Sequence, residues 1–192
     1  SDENIKRFLQ EPPNQRRSGW SMIPLGNIRT SVRGFETDRP LERELILLRN
    51  GHLEFRTEID SFFSWKQDPQ EFKAHPLLYP LPVTEYPVSF LRLAKALYAR
   101  LKYTGRLHWR MRYYNIKGCQ LRPYHPQAIG YSLSDAKYIE DEHLFVEDDL
   151  EPNYDPDPSA LKLIRDLYHS VGFTREHIPF FDENGHLSIP AG

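Results

Sequence analysis

Four cations stand on alternate positions of one short segment: Arg106, His108, Arg110 and Arg112. The residues between them are Leu107, Trp109, Met111 and Tyr113. Successive side chains of a strand point to opposite faces, so as a strand this segment buries an apolar row and displays a basic one. Guanidinium groups make bidentate contacts to phosphates and carboxylates, which suits the row to nucleic acid or to an acidic protein surface. On an open sheet face, Trp109 and Tyr113 would also stack on bases. A plainer reading is a solvent-facing strand whose aromatic side belongs to the core. The acidic run Glu147-Asp148-Asp149-Leu150-Glu151 supplies a partner for the row within the chain itself.

Other residues invite other chemistry. His52, Glu54 and Glu58 share one parity of a second strand, next to Arg49 and Arg56. Convergent carboxylates could hold a metal for a nuclease, although mixed charge is also ordinary on an exposed strand. Arg16, Arg17, Arg29 and Arg33 form a second basic group around Trp20. The histidines show no close-spaced ligand pair, and no HExxH or CxxC pattern occurs. The chain also lacks a GxSxG elbow and the phosphate loops GxxxxGK[ST] and GxGxxG. Cys119 is the one cysteine, which excludes an intramolecular disulfide and suits a reducing, cytoplasmic setting. It reads as a small core residue. No cofactor or metal site is implied.

The elements that must position these residues follow from length and pattern. The 192 residues carry 25 Lys and Arg against 27 Asp and Glu, a formal charge of −2. Nucleic-acid binding would therefore need a local patch, because the chain as a whole does not attract phosphate. Aromatics make up 13% of the chain, enough to build a core with few aliphatics. No apolar run of membrane-spanning length is present.

Residues 1–18 read as an N-terminal helix and a polar segment, and 19–190 as the globular part of a single α+β domain. Residues 20–36 hold one or two strands. Asn50-Gly51 between two apolar runs predicts a hairpin on a two-residue type I′ turn. Its register would pair Leu48 with Leu53 and Ile46 with Phe55 on one face. Arg49, His52, Glu54 and Arg56 would occupy the other face, with Leu45 and Leu47 beneath.

Between residues 61 and 86 the pattern is irregular apart from a short helix near Pro69–His75, capped by Asp68. The spacing of Phe90, Leu93, Ala94, Leu97 and Leu101 predicts a helix opened by Pro87 and closed by Gly105. A strand returns at Cys119–Arg122, and others are expected at Gly130–Leu133 and Leu144–Glu147. Asp157 and Pro158 open a second helix with the stripe Leu161, Ile164, Leu167, Tyr168 and Val171, ended by Gly172. Thr174 caps a further short turn, and Asp182–Gly185 forms a hairpin or loop. Without a βαβα rhythm, the order argues an α+β fold with a mainly antiparallel sheet and two main helices packed on it.

Three blocks carry a resemblance: Arg17-Ser-Gly-Trp20, Val32-Arg-Gly-Phe35 and Leu47-Leu-Arg-Asn-Gly-His-Leu-Glu-Phe55. Their order resembles the region that follows the Schlafen-type AlbA domain in certain bacterial putative DNA-binding proteins. Helix 87–104 and the strand after it continue that order, so the resemblance covers roughly the first two thirds of the chain. It implies an accessory or sensory module of a bacterial regulatory or defence protein, and it carries over no catalytic residue.

The sequence thus leads to a non-enzymatic binding module of a nucleic-acid-associated protein. Its face would be Arg106, His108, Arg110 and Arg112, joined by Arg49 and Arg56. A metal-dependent nuclease using His52, Glu54 and Glu58 is the alternative. A structural or homo-oligomeric domain packing through residues 61–86 is the third reading.

Overall fold

A computed structural model describes residues 1–11, 27–38, 43–58, 77–121, 137–138 and 140–189. The helix expected near Pro69–His75 and the strand at Gly130–Leu133 lie outside them, as do Arg16, Arg17 and Trp20. Helix α1 (Asp2–Gln10) precedes a four-stranded antiparallel meander of β1 (Ile28–Thr30), β2 (Gly34–Thr37), β3 (Arg43–Leu48) and β4 (Leu53–Thr57). Next come β5 (Leu77–Leu78), α2 (Pro80–Arg100), β6 (Leu107–Tyr113), β7 (Gln120–Leu121), β8 (Leu144–Leu150) and α3 (Pro156–Ser170). A 3₁₀ turn at Arg175–His177 follows, capped by Thr174. The fold is α+β, with two small sheets, parallel β5–β7 and antiparallel β6–β8, beside the meander.

In the meander, β2 runs close under β3. A Cβ placed on Gly34 would lie 2.0 Å from the Leu47 carbonyl oxygen, so only glycine fits there. The β3–β4 hairpin forms where Asn50-Gly51 predicts it, but one residue out of the expected register. Leu45 faces Phe55 and Leu47 faces Leu53. The connection is a three-residue loop. The Gly51 N–H donates to the Leu48 carbonyl at 2.9 Å, and the Leu48 N–H donates to the His52 carbonyl at 2.8 Å. Gly51 alone takes the left-handed conformation, with φ +88°. This is a type I turn followed by a glycine bulge rather than a type I′ turn. One residue of slip exchanges the faces of a strand. Leu45, Leu47 and Leu53 are therefore buried, while Ile46 and Leu48 are only half-buried.

Helix α2 begins at Pro80, a full turn and more before the expected Pro87, which lies inside it. Its first half, from Pro80 to Ser89, is buried apart from a half-buried Leu81. A stretch enclosed all round, with Thr84, Glu85 and Ser89 buried among its apolar residues, shows no stripe, and the prolines resemble loop punctuation. The Thr84 hydroxyl donates to the Pro80 carbonyl at 2.9 Å, satisfying an acceptor one turn back. At the other end Lys102, not Gly105, takes the left-handed position, with φ +57°. The Tyr103 N–H donates to the Tyr98 carbonyl at 2.9 Å and the Lys102 N–H to the Ala99 carbonyl at 3.0 Å. The rings of Tyr98 and Tyr103 pack 5.8 Å apart across this Schellman closure.

Helix α3 is capped by Asp155, whose carboxylate accepts the Asp157 N–H at 3.4 Å, with Pro156 at the first position. The expected cap, Asp157, is buried instead and turned toward Arg92 of α2. Gly172 ends α3 in the left-handed conformation, as its position predicts. Helices α2 and α3 pack together. Tyr98 of α2 donates to the Gly51 carbonyl at 2.7 Å, and Lys162 of α3 pairs with Asp148 of β8 at 2.8 Å. The two helices thus hold the hairpin and the β6–β8 ribbon on one core. The expected return strand at Cys119–Arg122 pairs with β5, in parallel, and not with β6.

Candidate functional site

Strand β6 forms over the alternating segment, and its burial follows the alternation. Trp109 and Tyr113 are buried, Leu107 and Met111 half-buried, and His108, Arg110 and Arg112 exposed. Trp109 and Tyr113 are therefore core residues and are closed to base stacking. The partner strand is β8, which runs past the expected end at Glu147 to Leu150 and so takes in all of the acidic run except Glu151. Direct cross-strand pairs are His108 with Asp149, Arg110 with Glu147 and Arg112 with Phe145.

On the outer face this register builds a charge ladder. Arg106 reaches Glu151 at 2.6 Å. His108 lies between two carboxylates, with Nδ1 at 2.8 Å from Asp149 and Nε2 at 3.4 Å from Glu147. Arg110 Nε is 3.8 Å from Glu147. These groups are all substantially exposed, so each pair contributes at most about 1 kcal/mol. Their larger effect is on the field. Three carboxylates offset the arginines, and the basic row is not a continuous positive strip.

Arg112 is the exception. Among the described residues it meets no carboxylate. Its guanidinium lies 5.8 Å from the centre of the Phe145 ring, and Nη1 is 3.5 Å from the Tyr114 hydroxyl. Phe145 is 57% exposed and Tyr114 52%, both unusual for large rings. The His143 ring completes a cluster, with centroids 5.2 Å from Tyr114 and 6.0 Å from Phe145. The Asn115 N–H donates to His143 Nδ1 at 3.1 Å, which fixes the imidazole in place. Arg110, Arg112, Phe145, Val146 and Glu147 line a shallow depression of about 380 Å³ beside the cluster.

The hairpin residues divide. Arg56 is exposed on β4. It is held by Glu54, at 2.9 and 3.0 Å, and by Glu44 at 3.4 Å. Arg49 lies at the hairpin tip with a structural engagement: Nε donates to the Val32 carbonyl at 3.1 Å and Nη2 reaches Asp2 at 3.5 Å. Glu54 is bound by Arg56, whose hydrogen bonds hold its carboxyl below the usual range, with a smaller effect from His52 at 3.6 Å. Glu58 is exposed just beyond β4. Among the described residues, no group of three His, Cys, Asp or Glu side chains is arranged to hold a metal. No helix among them is long and apolar enough to cross a membrane.

Sequence reasoning centred on the alternation and missed Tyr114, His143 and Phe145. The signal that could have found them is the pairing itself. Once residues 147–151 are laid antiparallel on the arginine row, Phe145 falls opposite Arg112 and His143 opposite Tyr114. No family model matches the chain, nor does any curated protein or solved structure.

Proposed function

We propose that the chain is a non-enzymatic binding module serving a nucleic-acid-associated protein, with the outer face of β6–β8 as its contact surface. The order of Trp20, Phe35 and the Arg-Asn-Gly hairpin supports a place beside a Schlafen-type AlbA domain in a bacterial regulatory or defence protein. The observation that carries the reading is Arg112: an exposed guanidinium whose neighbours among the described residues are an aromatic ring and a hydroxyl, at the end of a ladder that is otherwise charge-paired. A guanidinium so placed is available to a phosphate without first breaking an ion pair. The active end of the face is thus Arg112 and its surroundings, while Arg106, His108 and Arg110 are engaged with Glu151, Asp149 and Glu147.

Fluorescence anisotropy with labelled single- and double-stranded oligonucleotides over a salt series tests this. Binding at low salt that weakens in Arg112→Ala and persists in Arg106→Ala supports it. Absence of binding to any oligonucleotide at low salt removes it.

A further inference from the structure

We propose that Phe145, Tyr114 and His143, with Arg112 above them, form a stacking platform for the unpaired bases of single-stranded nucleic acid. The proposal rests on the nucleic-acid reading above and names its ligand and site. A ligand must satisfy three features together. The rings lie on the outer face of a two-stranded ribbon, so a flat group can approach them from solvent. Two of them are more than half exposed. One guanidinium, Arg112, stands over the patch with no carboxylate partner among the described residues, while its neighbour Arg110 has only a long contact of 3.8 Å to Glu147. A base stacked on a ring, with its phosphate toward Arg112, uses all three.

Other occupants use fewer of them. An acidic peptide needs several free cations, and the ladder leaves its other arginines paired. Duplex DNA presents phosphates at fixed spacing and hides its base faces, so the rings would contribute nothing to binding it.

The chemistry makes the contribution of stacking separable from that of charge. Each phosphate neutralised on a single strand adds about 0.7 to the slope of log K against log salt. A platform built on Arg112, with Arg110 beside it, gives a shallow slope of roughly 0.7–1.4. A row in which all four cations read phosphate would give about 2.8.

The probe is a short fluorescein-labelled oligothymidylate, compared with an abasic oligomer of equal length and with a duplex. Phe145→Ala is expected to weaken oligothymidylate binding about tenfold or more, in line with the loss of one stacked base. It should leave abasic binding unchanged, and Phe145→Trp should restore affinity. Arg112→Ala should weaken both single-stranded probes and flatten the salt slope. Because Phe145 is on the surface, its variants should keep the wild-type melting temperature, which is checked alongside. If duplex and abasic probes bind as well as oligothymidylate and Phe145→Ala changes nothing, the platform is overturned and the nucleic-acid reading stands. If none of the probes binds at low salt, both fall.

Discussion

Arg92 on α2 grips Asp157 on α3 through both carboxylate oxygens, Nε meeting Oδ1 at 2.8 Å and Nη2 meeting Oδ2. The same Oδ2 accepts the Leu187 N–H at 2.9 Å, so one carboxylate ties together two helices and the Phe181–Leu187 bridge. Asp157 is buried and Arg92 is partly exposed. Arg92→Ala leaves that carboxylate without its countercharge and should cost roughly 2–4 kcal/mol. Urea unfolding should show a lower midpoint with an unchanged slope. A loss below about 0.5 kcal/mol would show that the pair is not what joins the helices.

Lys102 occupies a left-handed position that glycine adopts without cost. Lys102→Gly should therefore stabilise the chain by roughly 0.5–1 kcal/mol, read as a rise in melting temperature. Gly105 offers no such exchange. A Cβ there would meet the Tyr103 hydroxyl oxygen at 2.4 Å, and that hydroxyl donates to the Arg106 carbonyl at 2.9 Å.

The hairpin register is open to a paired test. With Leu47 buried and Leu48 half-buried, Leu47→Ala should cost about 2–4 kcal/mol and Leu48→Ala about 1. The reverse order would restore the two-residue turn.

Cys119 sits in the core, and burial, reinforced by the nearby Glu142 charge, pushes its thiol up to about 11. Its neutral form is favoured by folding. That contribution is whole below the thiol's ordinary value of 9.0 and is lost as pH rises through about 11. At pH 8 the folded chain should react with a disulfide reagent at least about a hundredfold more slowly than the unfolded chain, since raising the thiol from 9.0 to about 11 lowers its thiolate fraction at that pH by about this factor. Comparable rates would place the thiol at the surface.

What could be read from sequence was whatever one segment decides alone. The alternation of 106–113 fixed both the strand and its buried side. The stripe of α3 and Gly172 marked a helix and its end. Features that depend on a second segment were less legible. Asp157 looks like a cap until Arg92 is brought beside it, and the cap then falls to Asp155. The Asn50-Gly51 pair specifies a hairpin, but two turn types share that signature, and the choice between them exchanges which leucines are buried. The first half of α2 hides because a helix enclosed on all sides shows no period. At the candidate site the arginines were visible at once. Their neutralisation was foreseen as an alternative, and the aromatic end became visible only with the cross-strand register.

The β6–β8 ribbon has a consequence for how the chain finds its structure. A slip of two residues would set Arg112 against Glu147, Arg110 against Asp149 and His108 against Glu151. The outer row would remain a set of opposite charges, so it does not reject that error. Discrimination lies underneath. The slip would move Met111 from Val146 to Asp148 and pull Asp148 away from Lys162. The two strands also meet only after residues 114–143 have closed into a loop, an entropic cost of about 3 kcal/mol. The ribbon should therefore condense late, on a helix pair already formed, with Lys162 as the peg that selects the native alignment.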